Sequence, residues 1–453
     1  MFSPNAIFRS PARVSIYAFA TLISIGTALL MLPAASTVGR LRFVDALFTA
    51  ASASCVTGLA VVDTGSALSA FGQLVILVVI QSGGLGIMTI STLFLLLGGR
   101  RPSLAGRMLI QDTFTRGGER SVRDIIWSVV QFTLVIEGIG ALLLFPRFLS
   151  GMTAGDALYC SVFHAVSAFC NAGFSLFPDS LIAYREDYIL NLVICFLIIC
   201  GGIGFLVLSE LRQNFSLNRC GWSRLSLHSR LVLTVTGILL ISSSMTIIFM
   251  EWHNTLAPLS LPGRVLAGFF QAVSARTAGF NTLAVNEMAN ETLFLLILLM
   301  FIGASPGSCG GGVKTSTFAS LVVLGLSRLR GKERPQIFHR TISTASIGKA
   351  ISVVLISTII IMVANMVILM VELGETPHPM SRGKFLELLF EVVSAFGTVG
   401  LSAGVTAGLS MAGKLILSMV MFVGRLGPLV VAMAVSRGTA PRFYYAEEEI
   451  MSG

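Results

Sequence analysis

The amino-acid sequence predicts an all-α integral membrane protein made of four helix–pore loop–helix repeats. Three observations lead to this fold class. First, 54% of the 453 residues are hydrophobic and only 12% are charged, whereas soluble domains carry about 25% charged residues. Second, apolar stretches of about 20 residues, long enough to cross a bilayer, recur along the chain. Third, one short motif occurs four times.

The repeated motif is a phenylalanine, three variable residues and a serine, followed five or six residues later by a glycine. The four copies are Phe48–Ser52, Phe163–Ser167, Phe270–Ser274 and Phe390–Ser394. The four glycines are Gly58, Gly173, Gly279 and Gly400. One such match would be weak evidence, but four matches in the same order predict an internal repeat.

Each motif lies between two apolar stretches that are long enough to cross the membrane. The preceding spans are predicted at 14–34, 125–145, 230–250 and 347–371. The following spans are predicted at 72–97, 188–209, 292–329 and 411–436, and the third of these is interrupted. The segment before each glycine has only about 12–14 residues, which is too short to cross and is typical of a re-entrant helix. Eight full spans are therefore predicted.

These elements divide the chain into four units. The units are 1–98, repeat 1; 99–213, repeat 2 with the preceding cytoplasmic loop; 214–331, repeat 3 with the broken span; and 332–453, repeat 4 with the C-terminal tail. The first apolar stretch is longer than the apolar core of a signal peptide, so a retained first span is expected.

The distribution of positive charge predicts the orientation in the membrane. Twenty of the 31 Lys and Arg residues lie at the termini or between one repeat and the next, and Lys314 and Arg425 lie inside spans. By the positive-inside rule, both termini and the joining loops are cytoplasmic, and the glycine loops enter from outside. The expected location is the cell (inner) membrane, as a multi-pass protein.

Several other functions do not fit the sequence. The net charge is +9, but the basic residues are dispersed between apolar spans, which argues against nucleic-acid binding. The seven cysteines form no CxxC pair, and no HExxH motif, GxSxG motif or carboxylate cluster indicates an enzyme. No bound cofactor is expected. The chain has no dinucleotide fingerprint, so any nucleotide sensing must come from a separate protein.

Four glycine loops at membrane depth predict a pseudo-fourfold pore. Non-helical backbone is stable there only where it lines water or is buried in protein. A ring of backbone carbonyls can replace the hydration shell of K⁺, glycine permits the positive φ that turns a carbonyl inward, and helix C-termini favour a cation. The predicted K⁺-binding filter residues are Val56, Thr57, Gly58, Asn171, Ala172, Gly173, Thr277, Ala278, Gly279, Thr398, Val399 and Gly400. Taken singly, each glycine is equally consistent with a tight turn or close helix packing.

The break in the second span of repeat 3 predicts a gate. The segment 303–312 is rich in glycine and contains Pro306, which a helix does not tolerate. The predicted gate residues are Gly303, Ser305, Pro306, Gly307, Gly310, Gly311, Gly312, Lys314 and Arg425. Arg425 lies deep in the last span and is expected to donate to carbonyls of this loop. A structural tether without gating stays open as the alternative.

Part of the same segment also resembles a phosphate-binding loop, but the match is imperfect. The segment 307–315 resembles GxxxxGK[ST], but the additional Val313 separates Gly312 from Lys314. The segment also lies inside a span and does not follow a strand. ATP binding is therefore not expected.

The four loops, and Val56–Thr64 in particular, resemble the Trk/Ktr/HKT superfamily of potassium translocation subunits over about residues 14–437. Because the chain begins directly at the first repeat, it is more similar to the KtrB-type membrane subunits than to the Trk subunits. The resemblance implies a potassium uptake subunit that forms a homodimer with one pore per protomer. It also implies gating by a cytoplasmic nucleotide-binding ring of RCK (KTN) subunits. Some plant relatives have serine at the first filter position and favour sodium, so Gly58 supports potassium.

One alternative function is an alternating-access transporter that is coupled or permeable to Na⁺. Such transporters also have repeats and broken helices, but they usually contain two repeats, which are often inverted relative to each other. Asp63 and Glu391 are expected either to attract cations near the pore mouth or to have ordinary solvated or capping roles. His164 is expected to be a packing residue. The basic loops 100–123 and 328–349 are candidate docking sites for a regulatory subunit, or they serve topology alone.

Overall fold

The computed structural model of the protein describes residues 11–37, 39–98, 122–214, 222, 224–332 and 334–427. Repeat 1 contains α1 (Pro11–Leu30), α2 (Phe43–Ser54) and α3 (Ala70–Gly98). Repeat 2 contains α4 (Val122–Leu149), α5 (Ala154–Phe169), α6 (Tyr188–Ile203) and α7 (Phe205–Gln213). Repeat 3 contains α8 (Leu227–Glu251), α9 (Leu261–Ser274), α10 (Asn290–Phe301) and α11 (Thr315–Leu329). A short hairpin of β1 (Gln336–Ile337) and β2 (Arg340–Thr341) follows, and repeat 4 contains α12 (Thr344–Leu373), α13 (Lys384–Gly397) and α14 (Met411–Leu426).

The first helix of every repeat is long and apolar enough to cross a membrane. Within the described residues, α1, α4, α8 and α12 are the four helices that meet this criterion, and the bent pair α6 and α7 makes a fifth span if it is counted as one. The helices α10 and α11, on either side of the interrupted segment, are shorter apolar helices. The described residues thus show a multi-helix membrane protein, as predicted, and the total of eight spans stays a prediction.

The four spanning helices face outward, and the re-entrant helices are enclosed. Large apolar side chains on the outer surfaces of α4, α8 and α12 are exposed, among them Leu142, Met245 and Ile359. By contrast, the motif phenylalanine of each re-entrant helix α2, α5, α9 and α13 is completely buried. An apolar exterior around an enclosed centre is the arrangement that a bilayer requires. Each re-entrant helix therefore delivers its C-terminal end to the interior of the molecule.

The second span of repeat 2 is also broken, which corrects the prediction of one continuous span at 188–209. The helix α6 ends at Ile203, α7 begins at Phe205, and their axes differ by 101°. Gly204, between them, has a φ of +99°, and the N–H of Phe205 donates to the carbonyl of Gly307 at 3.0 Å. The interrupted segment of repeat 3 therefore occupies the space into which a straight α6 would continue.

Gly204→Ala is expected to destabilise this bend. A Cβ at Gly204 would lie 2.6 Å from the carbonyl oxygen of Pro306, and alanine avoids positive φ. A residue held in such a conformation costs about 1–3 kcal/mol, so the midpoint of thermal unfolding in detergent should fall. Gly237→Ala is the matched control, because Gly237 lies in α8 with no neighbouring atom within 4 Å of an added Cβ. An unchanged midpoint for Gly204→Ala would show that the bend tolerates a side chain.

Polar contacts near the starts of α2 and α14 join elements that are distant in sequence. Lys414 of α14 forms an ion pair of 2.8 Å with Asp45 of α2, joining repeat 4 to repeat 1. Glu372, near the end of α12, accepts hydrogen bonds from the N–H and hydroxyl of Ser410, the residue before α14. Buried or half-buried polar groups of this kind fix the ends of helices whose N–H groups would otherwise lack partners. These contacts tie α14 to α2 of the first repeat and to α12 of its own repeat.

Candidate ion filter and the loop beneath it

All four re-entrant helices end in the same unusual backbone conformation. The residue two positions before the motif glycine has a positive φ in every repeat. These residues are Val56, Asn171, Thr277 and Thr398, with φ of 55°, 58°, 71° and 49°. The motif glycines themselves have φ between 69° and 94°. Because residues other than glycine avoid this region, its fourfold recurrence shows that the loops share one constrained shape.

The serine of the motif fixes this shape. In repeats 1 and 4, the serine hydroxyl oxygen accepts a hydrogen bond of 3.1 Å from the N–H of the motif glycine. In repeats 2 and 3, the hydroxyl donates to the carbonyl of the phenylalanine that follows the glycine. In all four repeats, the N–H of the residue before the glycine donates to the backbone carbonyl of the serine, at 2.7–3.0 Å. The recurring serine thus has a local structural cause.

The four glycine loops close into a ring. Each glycine packs against the carbonyl of the residue that precedes the glycine of the next repeat. A Cβ added to the glycine would approach that carbonyl oxygen too closely in every case. The distance would be 2.5 Å from Gly58 to Ala172, 2.8 Å from Gly173 to Ala278 and 2.5 Å from Gly279 to Val399. At Gly400 the added Cβ would overlap the oxygen of Thr57. Repeat 1 therefore contacts repeat 2, repeat 2 contacts repeat 3, repeat 3 contacts repeat 4, and repeat 4 contacts repeat 1. The ring therefore brings together segments of all four predicted filter loops.

An acidic vestibule lies next to the ring. This cavity of about 490 Å³ is lined by all four motif glycines and by the acidic residues Asp63, Asp179 and Glu287. The other acidic candidate, Glu391, is completely buried and accepts hydrogen bonds from Ser402, Ala403 and Thr406. Asp63 lines the vestibule and also caps the local turn, because its carboxylate accepts hydrogen bonds from the N–H of Gly65 and the hydroxyl of Ser66. Glu391 holds the chain that follows Gly400.

His164 has the packing role that the sequence favoured. Its ring is buried and stacks on the ring of Phe177, with 4.9 Å between centroids. One ring nitrogen lies 2.8 Å from the carbonyl oxygen of Cys160 and the other lies 3.1 Å from the hydroxyl of Ser175. Both polar atoms are therefore satisfied without an ion.

The interrupted segment 303–312 of repeat 3 touches the base of the ring. All of its residues except Pro306 are buried. The N–H of Gly311 donates to the hydroxyl oxygen of Thr398 at 3.0 Å, and a Cβ at Gly310 would overlap the hydroxyl of Thr277. At its two ends the segment is closed by a hydrogen bond of 2.9 Å from the Gly303 N–H to the Val313 carbonyl. The loop, called the plug below, is thus a folded segment that lies directly against two predicted filter residues.

Two cationic side chains hold the carbonyls of this loop. Arg425 donates to the carbonyl of Cys309 and, at 3.1 Å, to the carbonyl of Gly83 in α3. Lys314 donates to the carbonyl of Gly310 at 2.7 Å. The contact between Arg425 and the loop is the one that the sequence predicted, and its role in gating stays a prediction.

The loop contacts every repeat, whereas the sequence assigned it to repeats 3 and 4 alone. The N–H groups of Ser305 and Cys309 donate to the carbonyls of Gly202 and Gly201 in α6, at 3.0 and 3.1 Å. The thiol of Cys309 lies 4.0 Å from the carbonyl oxygen of Gly84 in α3, which is the contact of the loop with repeat 1. The difference arises because the bend at Gly204 brings the end of α6 under the ring. Displacement of this loop would therefore break contacts with all four repeats.

Sequence reasoning missed a second set of glycines in the following helices. In repeats 1, 2 and 4 a glycine of that helix packs so closely on the end of its own re-entrant helix that an added Cβ would overlap a carbonyl. The pairs are Gly83 with Ser54, Gly201 with Phe169 and Gly424 with Phe396. The sequence contains one signal for these glycines, because each of them follows its filter glycine by a similar number of residues.

Comparison with known proteins agrees with this architecture. The sequence model of a family described as "TrkH: Cation transport protein" matches residues 7–439. The Ktr system potassium uptake protein B of Bacillus subtilis (strain 168) is 41% identical over 448 residues, which cover 98% of this chain and 97% of that protein. The protein of the same name from Vibrio alginolyticus is 36% identical over 443 residues, covering 97% and 94%.

Two further comparisons extend the likeness. The potassium/sodium uptake protein NtpJ of Enterococcus hirae is 35% identical over 449 residues, covering 98% of this chain and 97% of that protein. The crystal structure of the potassium transporter TrkH from Vibrio parahaemolyticus is similar in fold, with a TM-score of 0.74 at 16% identity, covering 93% of this chain and 84% of that one. With repeats, ring and near-full-length matches in agreement, this chain belongs to the TrkH family of cation transport proteins and is a transporter, not an enzyme.

Proposed function

We propose that this chain is a potassium uptake subunit that conducts K⁺ through the ring of four glycine loops, with the segment 303–315 as its intramembrane gate. The closed ring of glycine–carbonyl contacts is the observation that carries the proposal. The names of the relatives from Bacillus subtilis and Vibrio alginolyticus support potassium as the ion. Potassium is the transported substrate, and the chain is proposed to bind no cofactor.

The chemistry of the ring suits a monovalent cation. None of the twelve filter residues is charged, so the oxygens that replace the hydration shell are backbone carbonyls and neutral side chains. The four re-entrant helices end at the ring, and the partial negative charge of their C-termini favours a cation there. The three carboxylates of the vestibule raise the local cation concentration on the way in.

The location and the partners are also proposals. The chain is proposed to lie in the cell membrane with both termini in the cytoplasm, and to form a homodimer regulated by a cytoplasmic nucleotide-binding RCK/KTN ring. Relatives named as protein B of a Ktr system support a membrane component that works with other subunits. Of the two basic loops, 328–349 contains the hairpin of β1 and β2, and 100–121 lies outside the described residues.

Potassium-limited growth tests the proposal. The intact chain, expressed with a nucleotide-binding subunit in bacteria that lack potassium uptake, is expected to restore growth at low K⁺. Gly58→Ser is expected to abolish this rescue or its preference for K⁺ over Na⁺, because a Cβ there would lie 2.5 Å from the Ala172 oxygen. Gly237→Ser makes the same change in a helix with open space around it and should retain rescue. Failure of the intact chain to rescue growth, although it is inserted in the membrane, would contradict the potassium assignment.

A sodium-permeable alternating-access transporter is the second candidate. It is favoured by the relative from Enterococcus hirae, whose name includes both ions. Unitary currents through single molecules in a planar bilayer would establish a channel-like pore, since alternating access moves ions too slowly to resolve. Influx of ²²Na⁺ that equals that of ⁸⁶Rb⁺ would favour the second candidate.

A further inference from the structure

Two thiols lie beneath the filter without a role in the proposed conduction. All six cysteines of the described residues are buried and free. Cys170 is the residue directly after α5 and directly before the filter residue Asn171. Cys309 is in the interrupted segment, and its carbonyl accepts the hydrogen bond from Arg425. One thiol thus belongs to the filter and the other to the plug below it.

The two sulfur atoms border the same small space. A Cβ at Gly84 would lie 2.8 Å from the sulfur of Cys170 and 3.8 Å from the sulfur of Cys309. The two side chains also interact directly with each other. Because Gly84 has no side chain, nothing from α3 separates the sulfurs. A disulfide, with its sulfur–sulfur distance of about 2.05 Å, then requires the two side chains to move towards each other across this space.

The surroundings supply the proton transfers that disulfide formation needs. The Cys170 thiol donates to the side-chain oxygen of Gln81 at 3.4 Å, and one carboxylate oxygen of Glu137 lies 3.8 Å from the same sulfur. Gln81 in turn donates to Glu137 at 3.1 Å, which fixes the carboxylate in place. On the other side, the Arg425 guanidinium is bonded to the backbone of Cys309 itself. The Arg425 cation favours the thiolate of Cys309, which is the reactive form of cysteine, and Glu137 is placed to accept the proton of Cys170.

We propose that Cys170 and Cys309 are a redox-active pair, and that hydrogen peroxide or a related two-electron oxidant joins them by a disulfide that locks the plug against the filter. This proposal rests on the proposed function, because it takes the segment 303–312 as the gate. Hydrogen peroxide is uncharged and little larger than water, so it can enter through a water-filled pore. The reduced pair leaves the plug free to move, and the disulfide stops the cation flux.

The reaction balances with the oxidant alone. The sulfur of Cys309 loses its proton and attacks hydrogen peroxide, so that an S–O bond forms and the O–O bond breaks. The departing hydroxide takes up the proton that Cys309 lost and becomes water. The carboxylate of Glu137 then accepts the proton of Cys170. The resulting thiolate attacks the sulfenic sulfur of Cys309, the S–S bond forms and the S–O bond breaks. The second hydroxide takes the proton from Glu137, so two thiols and one peroxide give one disulfide and two waters.

The first test detects the disulfide between Cys170 and Cys309 directly. The full-length protein in liposomes is treated with hydrogen peroxide, free thiols are alkylated, and the digest is examined by mass spectrometry. A peptide that links residue 170 to residue 309 and disappears after dithiothreitol is the expected result. Oxidation that leaves these two residues as separate alkylated or sulfinic species, with no linked peptide, would overturn the proposal.

The second test reads ⁸⁶Rb⁺ flux in the same liposomes, with each variant compared with its own flux before oxidation. Peroxide should remove most of the flux of the intact chain, and dithiothreitol should restore it. Cys170→Ala and Cys309→Ala should each lose this response, whereas Cys195→Ala, which changes a buried cysteine of α6, should keep it. A linked peptide with undiminished flux, or an unchanged response in both alanine variants, would refute the switch. Absence of flux before oxidation would count against the proposed function alone, because the linked peptide is read without it.

Discussion

Arg425→Ala is expected to raise potassium influx at least about tenfold. The guanidinium holds the plug to the last helix through the Cys309 carbonyl and to α3 through the Gly83 carbonyl. Hydrogen bonds to charged groups contribute about 1.5–3 kcal/mol each, and about 1.4 kcal/mol changes an equilibrium constant tenfold. Loss of both bonds therefore shifts the plug towards its displaced position by at least that factor, provided that opening limits the flux.

Uptake of ⁸⁶Rb⁺ into liposomes that contain the purified protein measures this effect. Arg425→Lys is the matched variant, because lysine keeps the charge but has no planar fork to reach two carbonyls at once. Its flux should lie between those of the intact protein and the alanine variant. If the alanine variant is monodisperse and as heat-stable as the intact protein, and its flux is unchanged or lower, then Arg425 is a structural tether and the gate is elsewhere.

Shortening the plug should produce an increase at least as large. Deletion of residues 306–311, which joins Ser305 to Gly312, keeps the closing hydrogen bond between Gly303 and Val313 and the 2.8 Å contact between the hydroxyls of Ser305 and Thr315. It removes the contacts of the plug with Thr398 and with Arg425. The path below the ring is then unobstructed, and ⁸⁶Rb⁺ uptake should no longer depend on Arg425.

A replacement of equal length distinguishes the effect of the volume of the plug from the effect of its specific contacts. If residues 306–311 are exchanged for a glycine–serine linker, the chain length is kept and most specific contacts are lost. An intermediate flux would show that the contacts themselves keep the pore closed. A deletion variant that folds normally and conducts no more than the intact protein would contradict the assignment of this segment as the gate.

The sequence contained the parts of the filter but not how they join. Four copies of one motif were enough to predict re-entrant helices that end in glycine loops, because phenylalanine and serine recur at one spacing and a glycine follows five or six residues later. The confirmed family and the helical membrane fold follow from that pattern together with composition. The cyclic packing of each glycine on the next repeat is a tertiary contact. It leaves no periodic signal in any one repeat.

The bend in repeat 2 shows why other features escaped prediction. Residues 188–209 read as one apolar span, and a glycine inside such a helix is common in membranes. What breaks the helix is the plug of repeat 3, whose Pro306 and Gly307 occupy the space beside Gly204. The cause therefore lies about a hundred residues further along the chain, beyond the reach of local reasoning.

The closing contact of the ring has a consequence for biosynthesis. The ring is completed where Gly400 meets the carbonyl of Thr57, and the ion pair of Lys414 with Asp45 reinforces the same joint. These partners belong to the first and the fourth repeat, so the first three repeats alone form an open arc. If the ring is the conduit, we expect a nascent chain of three repeats not to leak cations, because the path is complete only after the fourth repeat has returned to the first.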